Sequence, residues 1–100
     1  MMMKNKPIVK VTIAPTLRLL SELSGEPEAW EIRAASAMEC LQVMLKRYPL
    51  MKKWAYKGEE LLPIIWFFVN DPEWRNKLTP DEFEKPLKEG DEVTIVFGKS

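Results

Sequence analysis

Histidine is absent from this chain of 100 residues, and cysteine occurs once, at Cys40. The first absence removes the commonest general base, the Ser-His and Cys-His nucleophile pairs and the commonest metal ligand. The second excludes an intrachain disulfide and any multi-cysteine zinc site. Cys40 falls within a helical pattern, which reads as a small core filler and not as a reactive thiol. Charge of one sign is lacking too. Fifteen basic and fifteen acidic residues give a formal net charge of zero, and the two kinds are interspersed. No basic stripe is present, so the electrostatic footprint of a DNA- or RNA-binding protein is missing. The longest apolar stretch, Leu61 to Val69, has nine residues, against about 20 for a membrane span. The basic Met1–Lys6 segment is not followed by a signal-type apolar core. The expectation is a cytoplasmic protein without nucleic-acid or membrane partners and without a resident metal or cofactor.

What is present is apolar surface. A hydrophobic content of 46% in this length fits one domain over residues 1–100 with one core. Four tryptophans and six methionines point to a large apolar contact area, inside the protein or at an interface.

Pro7 to Ala14 alternates cleanly, with Val9, Val11 and Ile13 on one face and Lys10 and Thr12 on the other, the pattern of a half-buried strand. Pro15 ends it, and Thr16 is the expected cap of a short helical turn through Leu17, Leu20 and Leu23. Ser24-Gly25-Glu26-Pro27 closes that turn. Trp30 to Ala34 alternates again and reads as a second strand, antiparallel to the first. Ser36 and Glu39 have capping-box spacing. The helix expected to follow, over Ser36–Tyr48, carries Ala37, Leu41, Met44, Leu45 and Tyr48 on one stripe. Lys46 and Arg47 suit its last turn, and Pro49 stops it. Leu61–Val69 reads as one buried strand in which both alternate sets, Ile65/Phe67/Val69 and Ile64/Trp66/Phe68, are bulky. Asn70-Asp71-Pro72 turns the chain. Thr79-Pro80-Asp81-Glu82 looks like a helix start, and Glu89-Gly90-Asp91 is a tight turn into a last strand, Glu92–Phe97. A hairpin, a helix and then strands returning to the sheet describe an α+β domain of β-grasp type. It has a mixed sheet of four to five strands and one main helix on one face.

Four stretches resemble the MoaD/ThiS family of ubiquitin-like sulfur carriers, in the family's order. Ala14-Pro15-Thr16-Leu17-Arg18-Leu19-Leu20 is similar to its strand exit. Lys46-Arg47-Tyr48-Pro49 is similar to its helix end, and Trp66-Phe67-Phe68-Val69-Asn70 to its strand before a turn. Pro86-Leu87-Lys88-Glu89-Gly90-Asp91-Glu92-Val93 matches its approach to the final strand. The resemblance implies the β-grasp fold, with first and last strands parallel at the centre. Family members work through a flexible tail ending in Gly-Gly, whose carboxylate is adenylated and converted to a thiocarboxylate. Here Gly98-Lys99-Ser100 stands at that place, so the resemblance implies a variant without the Gly-Gly group. Residues 71–85 form a longer connection than the family's usual one, an extended loop insertion carrying Trp74 and Phe83. Residues 1–6 are expected to be flexible and 98–100 to form a short tail.

Carboxylate groups at Glu59-Glu60, Asp81-Glu82-Glu84 and Asp91-Glu92 fall on turns and helix starts, where solvation and turn chemistry account for them. Gly98-Lys99-Ser100 lacks the upstream glycine of a phosphate loop. No catalytic, cofactor-binding or metal-binding residue is assigned. Opposed residues of one strand cannot all face the same helix. In MoaD/ThiS proteins the sheet face opposite the helix docks to partner enzymes. The candidate partner-binding residues are therefore Ile64, Trp66, Phe68, Trp74, Phe83 and Phe97. The first three are expected either to be covered by Trp74 and Phe83 of the insertion or to stand open, taking a partner or a second copy of the chain. The function this implies is that of a non-catalytic protein-binding subunit or adaptor. Its partner would be an activating enzyme, a large subunit like that of molybdopterin synthase, or a metabolic enzyme complex, linked by resemblance to sulfur transfer or molybdenum/tungsten cofactor biology. The alternative is a sulfur carrier activated by trimming to Gly98.

Overall fold

The first strand, β1 (Ile8–Ile13), buries Val9, Val11 and Ile13 and turns Lys10 and Thr12 to the other side, as its alternation requires. The structure is a computed structural model describing residues 6–98. Most of the segment expected to be flexible (1–5) and of the expected tail (99–100) lies outside the described residues. Proline cannot extend the ladder, and Pro15 instead occupies the first position of a short helix, α1 (Pro15–Leu20), where its missing N–H costs nothing. The cap of α1 is Ala14 and not Thr16, with no side-chain bond to the helix end. Order comes from Arg18, whose guanidinium donates to the carbonyls of Leu23, Glu26 and Pro27 at 2.7–2.9 Å and so closes the loop back to the sheet. The second strand, β2 (Ala29–Arg33), then pairs antiparallel with β1.

The main helix, α2 (Ala37–Arg47), starts at Ser36, whose Oγ accepts from the Glu39 N–H at 3.2 Å. Glu39 reaches back one residue further than the usual box, accepting from the Ala35 N–H at 2.6 Å. Its buried stripe is Ala37, Cys40, Leu41 and Met44. Leu45 and Tyr48, expected on that stripe, are only half-buried. One residue is about 100° of helix rotation, so a stripe centred on Cys40 and Met44 leaves Leu45 at its margin.

A 3-10 turn over Pro49–Met51 leads into a one-turn helix, α3 (Lys52–Ala55), and a two-residue hairpin, β3 (Tyr56–Lys57) and β4 (Glu60–Leu61). The expected single strand over Leu61–Val69 is thus divided. Pro63 has no N–H to give a ladder, and the chain re-enters the sheet only at β5 (Ile65–Val69). Past the insertion, a 3-10 turn at Pro80–Glu82 is capped by Thr79 and Glu82 acting reciprocally. Gly90, at φ 86°, makes the turn into β6 (Glu92–Phe97) in a backbone region that other residues avoid.

The main sheet runs β2-β1-β6-β5, with β1 and β6 parallel at its centre and both flanking pairs antiparallel. Val9, Val11, Ile13, Trp30, Ile32, Ile65, Phe67, Val93 and Ile95 form one core with Leu41 and Met44 of α2. Each such side chain, fully buried, contributes about 1.5–3 kcal/mol of transfer free energy. This is the β-grasp arrangement: a four-stranded mixed sheet with one main helix packed on one face.

Candidate functional site

Strand β5 carries aromatic residues on both its faces, and the pleat sends them to opposite sides. Ile65 and Phe67 join the core under α2. Trp66 and Phe68 face away, where Phe68 lies buried with Ala14 and Val96 in a second, smaller cluster and Trp66 packs at its edge. Across the ladder Trp66 sits opposite Val96, and Phe68 opposite Thr94. The two rings meet edge-on, 6.5 Å apart at 72°.

The insertion supplies a partial cover. Trp74 stacks on Phe68 with ring centroids 6.0 Å apart and planes at 17°, yet is itself 45% exposed. Its φ of 55° is unusual for a bulky side chain and costs on the order of 1 kcal/mol or more. The loop holds it there: the Trp74 N–H donates to the Asp71 carbonyl at 3.1 Å, and the Asp71 carboxylate accepts from the Asn76 N–H at 2.7 Å. That bond, with help from neighbouring backbone N–H groups, holds the Asp71 carboxyl below its ordinary value. Further along, the Lys77 ammonium lies 4.4 Å from the centre of the Trp66 ring. The face is therefore neither wholly covered nor wholly open. Phe68 is covered, Trp66 is half-buried, and Trp74 projects.

The other candidates lie elsewhere. Phe83 meets Phe67 edge-on at 4.9 Å, and Phe97 meets Trp54 at 6.5 Å. Both pack against the core on the α2 side. Phe97 follows the parity of Val93 and Ile95, and Phe83 is drawn to the helix where its carbonyl accepts from the Met38 N–H at 3.0 Å. Ile64 is half-buried just ahead of β5, and its carbonyl accepts from the Gly98 N–H at 2.6 Å. Gly98 is buried against the Trp66 ring.

Beside Trp74, an open groove of about 640 Å³ crosses the outward face, with Thr12, Ala14 and Thr94 on its floor and Leu19 and Trp74 on its walls. Leu19 is 70% exposed. Sequence reasoning passed over it, although it is the one leucine of its turn that is out of phase with Leu17, Leu20 and Leu23. Nothing in the sequence marked Lys77.

Reactive groups do not converge here. Burial pushes the Cys40 thiol up to about 12. The Asp91 carboxylate accepts from the Asn70 amide at 3.0 Å and the Lys88 N–H at 2.7 Å, and Glu82 accepts from the Thr79 N–H at 2.9 Å. Among the described residues there is no cluster of three or more acidic or cysteine side chains able to hold a metal, and no helix long and apolar enough to cross a membrane. What the outward face offers chemically is apolar and aromatic contact beside a polar margin that includes Arg18, Glu28 and Glu92.

No family model matches the chain, and no curated protein matches it in sequence. Solved structures do. Small archaeal modifier protein 1 from Methanosarcina acetivorans matches with a TM-score of 0.74 at 22% identity, over 97% of this chain and 98% of its own. A chain of the Amycolatopsis orientalis BexX/CysO complex matches at 0.66 and 26% identity, over 92% and 97%. A chain of the complex of subunits 1 and 2 of molybdopterin-converting factor from Helicobacter pylori 26695 matches at 0.56 and 19%, over 93% and 96%. By its fold the chain is a ubiquitin-like β-grasp protein, similar over more than nine-tenths of its length to small archaeal modifier protein 1 and to chains of the BexX/CysO and molybdopterin-converting factor complexes.

Proposed function

We propose that this chain is a non-catalytic protein-binding subunit or adaptor, docking through the outward face of its sheet. The observation that carries the reading is Trp74, an exposed aromatic side chain held in an unfavourable backbone conformation on top of Phe68. An anchor already ordered in the free protein loses little entropy on binding, and tryptophan is enriched among the residues that dominate interface energies. Two of the similar structures, a chain of the BexX/CysO complex and a chain of the complex between subunits 1 and 2 of molybdopterin-converting factor, are parts of protein–protein complexes, which supports a protein partner here. The classes to consider are an adenylating enzyme, a large subunit like that of molybdopterin synthase, and a metabolic enzyme complex, in sulfur-transfer or molybdenum/tungsten cofactor chemistry.

The competing reading is a sulfur carrier ending, after trimming, at Gly98. A carrier must thread its terminal glycine into a partner's active site. In the free chain Gly98 is instead hydrogen-bonded to Ile64 and lies against the Trp66 ring, so the glycine is not held ready for threading, which favours the adaptor. Incubation of the chain trimmed to end at Gly98 with an adenylating enzyme that acts on β-grasp carriers, ATP and a sulfur donor, followed by intact mass measurement, tests the choice. The expected outcome is an unchanged mass. A species with one oxygen exchanged for sulfur refutes the adaptor reading.

A further inference from the structure

We infer that the Trp66 indole is a latch over Gly98, where the chain leaves the sheet, and that occupation of the outward face opens it; the second half rests on the docking reading above. The Gly98 N–H closes the β5–β6 ladder on the Ile64 carbonyl at 2.6 Å. A Cβ built on Gly98 would come within 3.0 Å of three atoms of the Trp66 ring. The ring therefore rests directly on the glycine backbone, and any larger residue would push it off.

Three contacts pin the indole: the Gly98 backbone, the edge of Phe68 at 6.5 Å and the Lys77 ammonium at 4.4 Å. It is nonetheless only half-buried. A cavity of about 470 Å³, lined by Trp66 and Lys77 together with Leu61, Pro63 and Phe83, opens beside it. The ring has somewhere to turn. One of its pins, Lys77, lies with Trp74 on one exposed loop that a docked partner would meet, and Trp74 is stacked on a second pin, the buried Phe68. A partner that draws Trp74 from Phe68, or Lys77 from the ring, removes a contact that favours the closed state, and a ligand shifts such an equilibrium by its differential affinity. Docking and access to the backbone at Gly98 thus become one coupled event.

Amide hydrogen exchange on the full chain tests both halves without any partner. Trp66→Ala should speed exchange of the Gly98 amide about tenfold or more, while the Val93 and Ile95 amides, at the centre of the sheet, stay as slow as in the wild type. Trp74→Ala should speed Gly98 by a smaller factor, roughly two- to threefold. If Trp66→Ala fails to fold, Gly98→Ala serves instead: it leaves the core untouched and should shift the Trp66 indole N–H resonance. Equal Gly98 exchange in wild type and Trp66→Ala, or an unmoved indole resonance in Gly98→Ala, overturns the latch. Equal exchange in wild type and Trp74→Ala overturns its coupling to the face. A failure of the docking reading is distinguishable from either, since these changes would persist while no partner binds.

Discussion

Met44 and Leu45 are neighbours on α2 with different energetic weight. Met44 is fully enclosed by the core, whereas Leu45 sits half-buried at its margin. Met44→Ala should cost about 2–5 kcal/mol, the range for an enclosed large-to-small change. Leu45→Ala should cost about 1 kcal/mol, near the centre of the distribution for single substitutions. Denaturant melts of the two variants check this, and equal losses would mean that the helix is rotated from the orientation described. The sequence pattern pointed to Leu45 because both residues fit an apolar stripe, and periodicity alone does not centre it. What centres it is Cys40, read from the sequence as a core filler but not counted on the stripe, which lies at 0% exposure. Its enclosure also predicts that a thiol reagent labels the native protein no faster than global unfolding allows.

At the level of elements, α2 depends on its first turn. Ser36→Ala removes the acceptor for the Glu39 N–H and should cost about 1 kcal/mol. The turn before β6 contributes to the pH dependence. The Asn70 amide first, and then the Lys88 N–H, hold the Asp91 carboxyl below its ordinary value. A folded pKa below the unfolded one means stabilisation that is complete above the ordinary carboxylate value of about 4 and lost as pH falls through the folded value. The gap in melting temperature between wild type and Asp91→Asn should therefore narrow as pH drops below about 4; a constant gap contradicts this. The elements β1, β2, α2 and β6 were legible because alternation, capping spacing and turn residues agree there. The segment from Pro49 to Leu62 was not. Its α3 turn and β3–β4 hairpin are each too short for a period to show, and the segment is fixed by tertiary bonds, such as the Trp54 indole N–H to the Leu20 carbonyl at 3.0 Å. Reading Leu61–Val69 as one strand underweighted Pro63.

For the whole molecule, the fold was legible and half of the candidate site was. Bulk on both faces of β5 implied a second apolar surface, and the structure places Trp66, Phe68 and Trp74 there. The parity of Val93 and Ile95 already turns Phe97 inward; what the sequence could not show is that Phe83 does so, because the path of the insertion is set by contacts such as the Met38 N–H to the Phe83 carbonyl at 3.0 Å. The central claim, a β-grasp adaptor docking through this face, is tested most directly by calorimetric titration. An adenylating enzyme and a molybdopterin-synthase-type large subunit from the same genome are each titrated with wild type, Trp74→Ser and Leu19→Ser. The account predicts a complex with one of them, weakened about 30-fold by Trp74→Ser, equivalent to a hot-spot loss of about 2 kcal/mol, with the free variant still folded. No binding to either protein, or equal affinity for wild type and both variants, contradicts it.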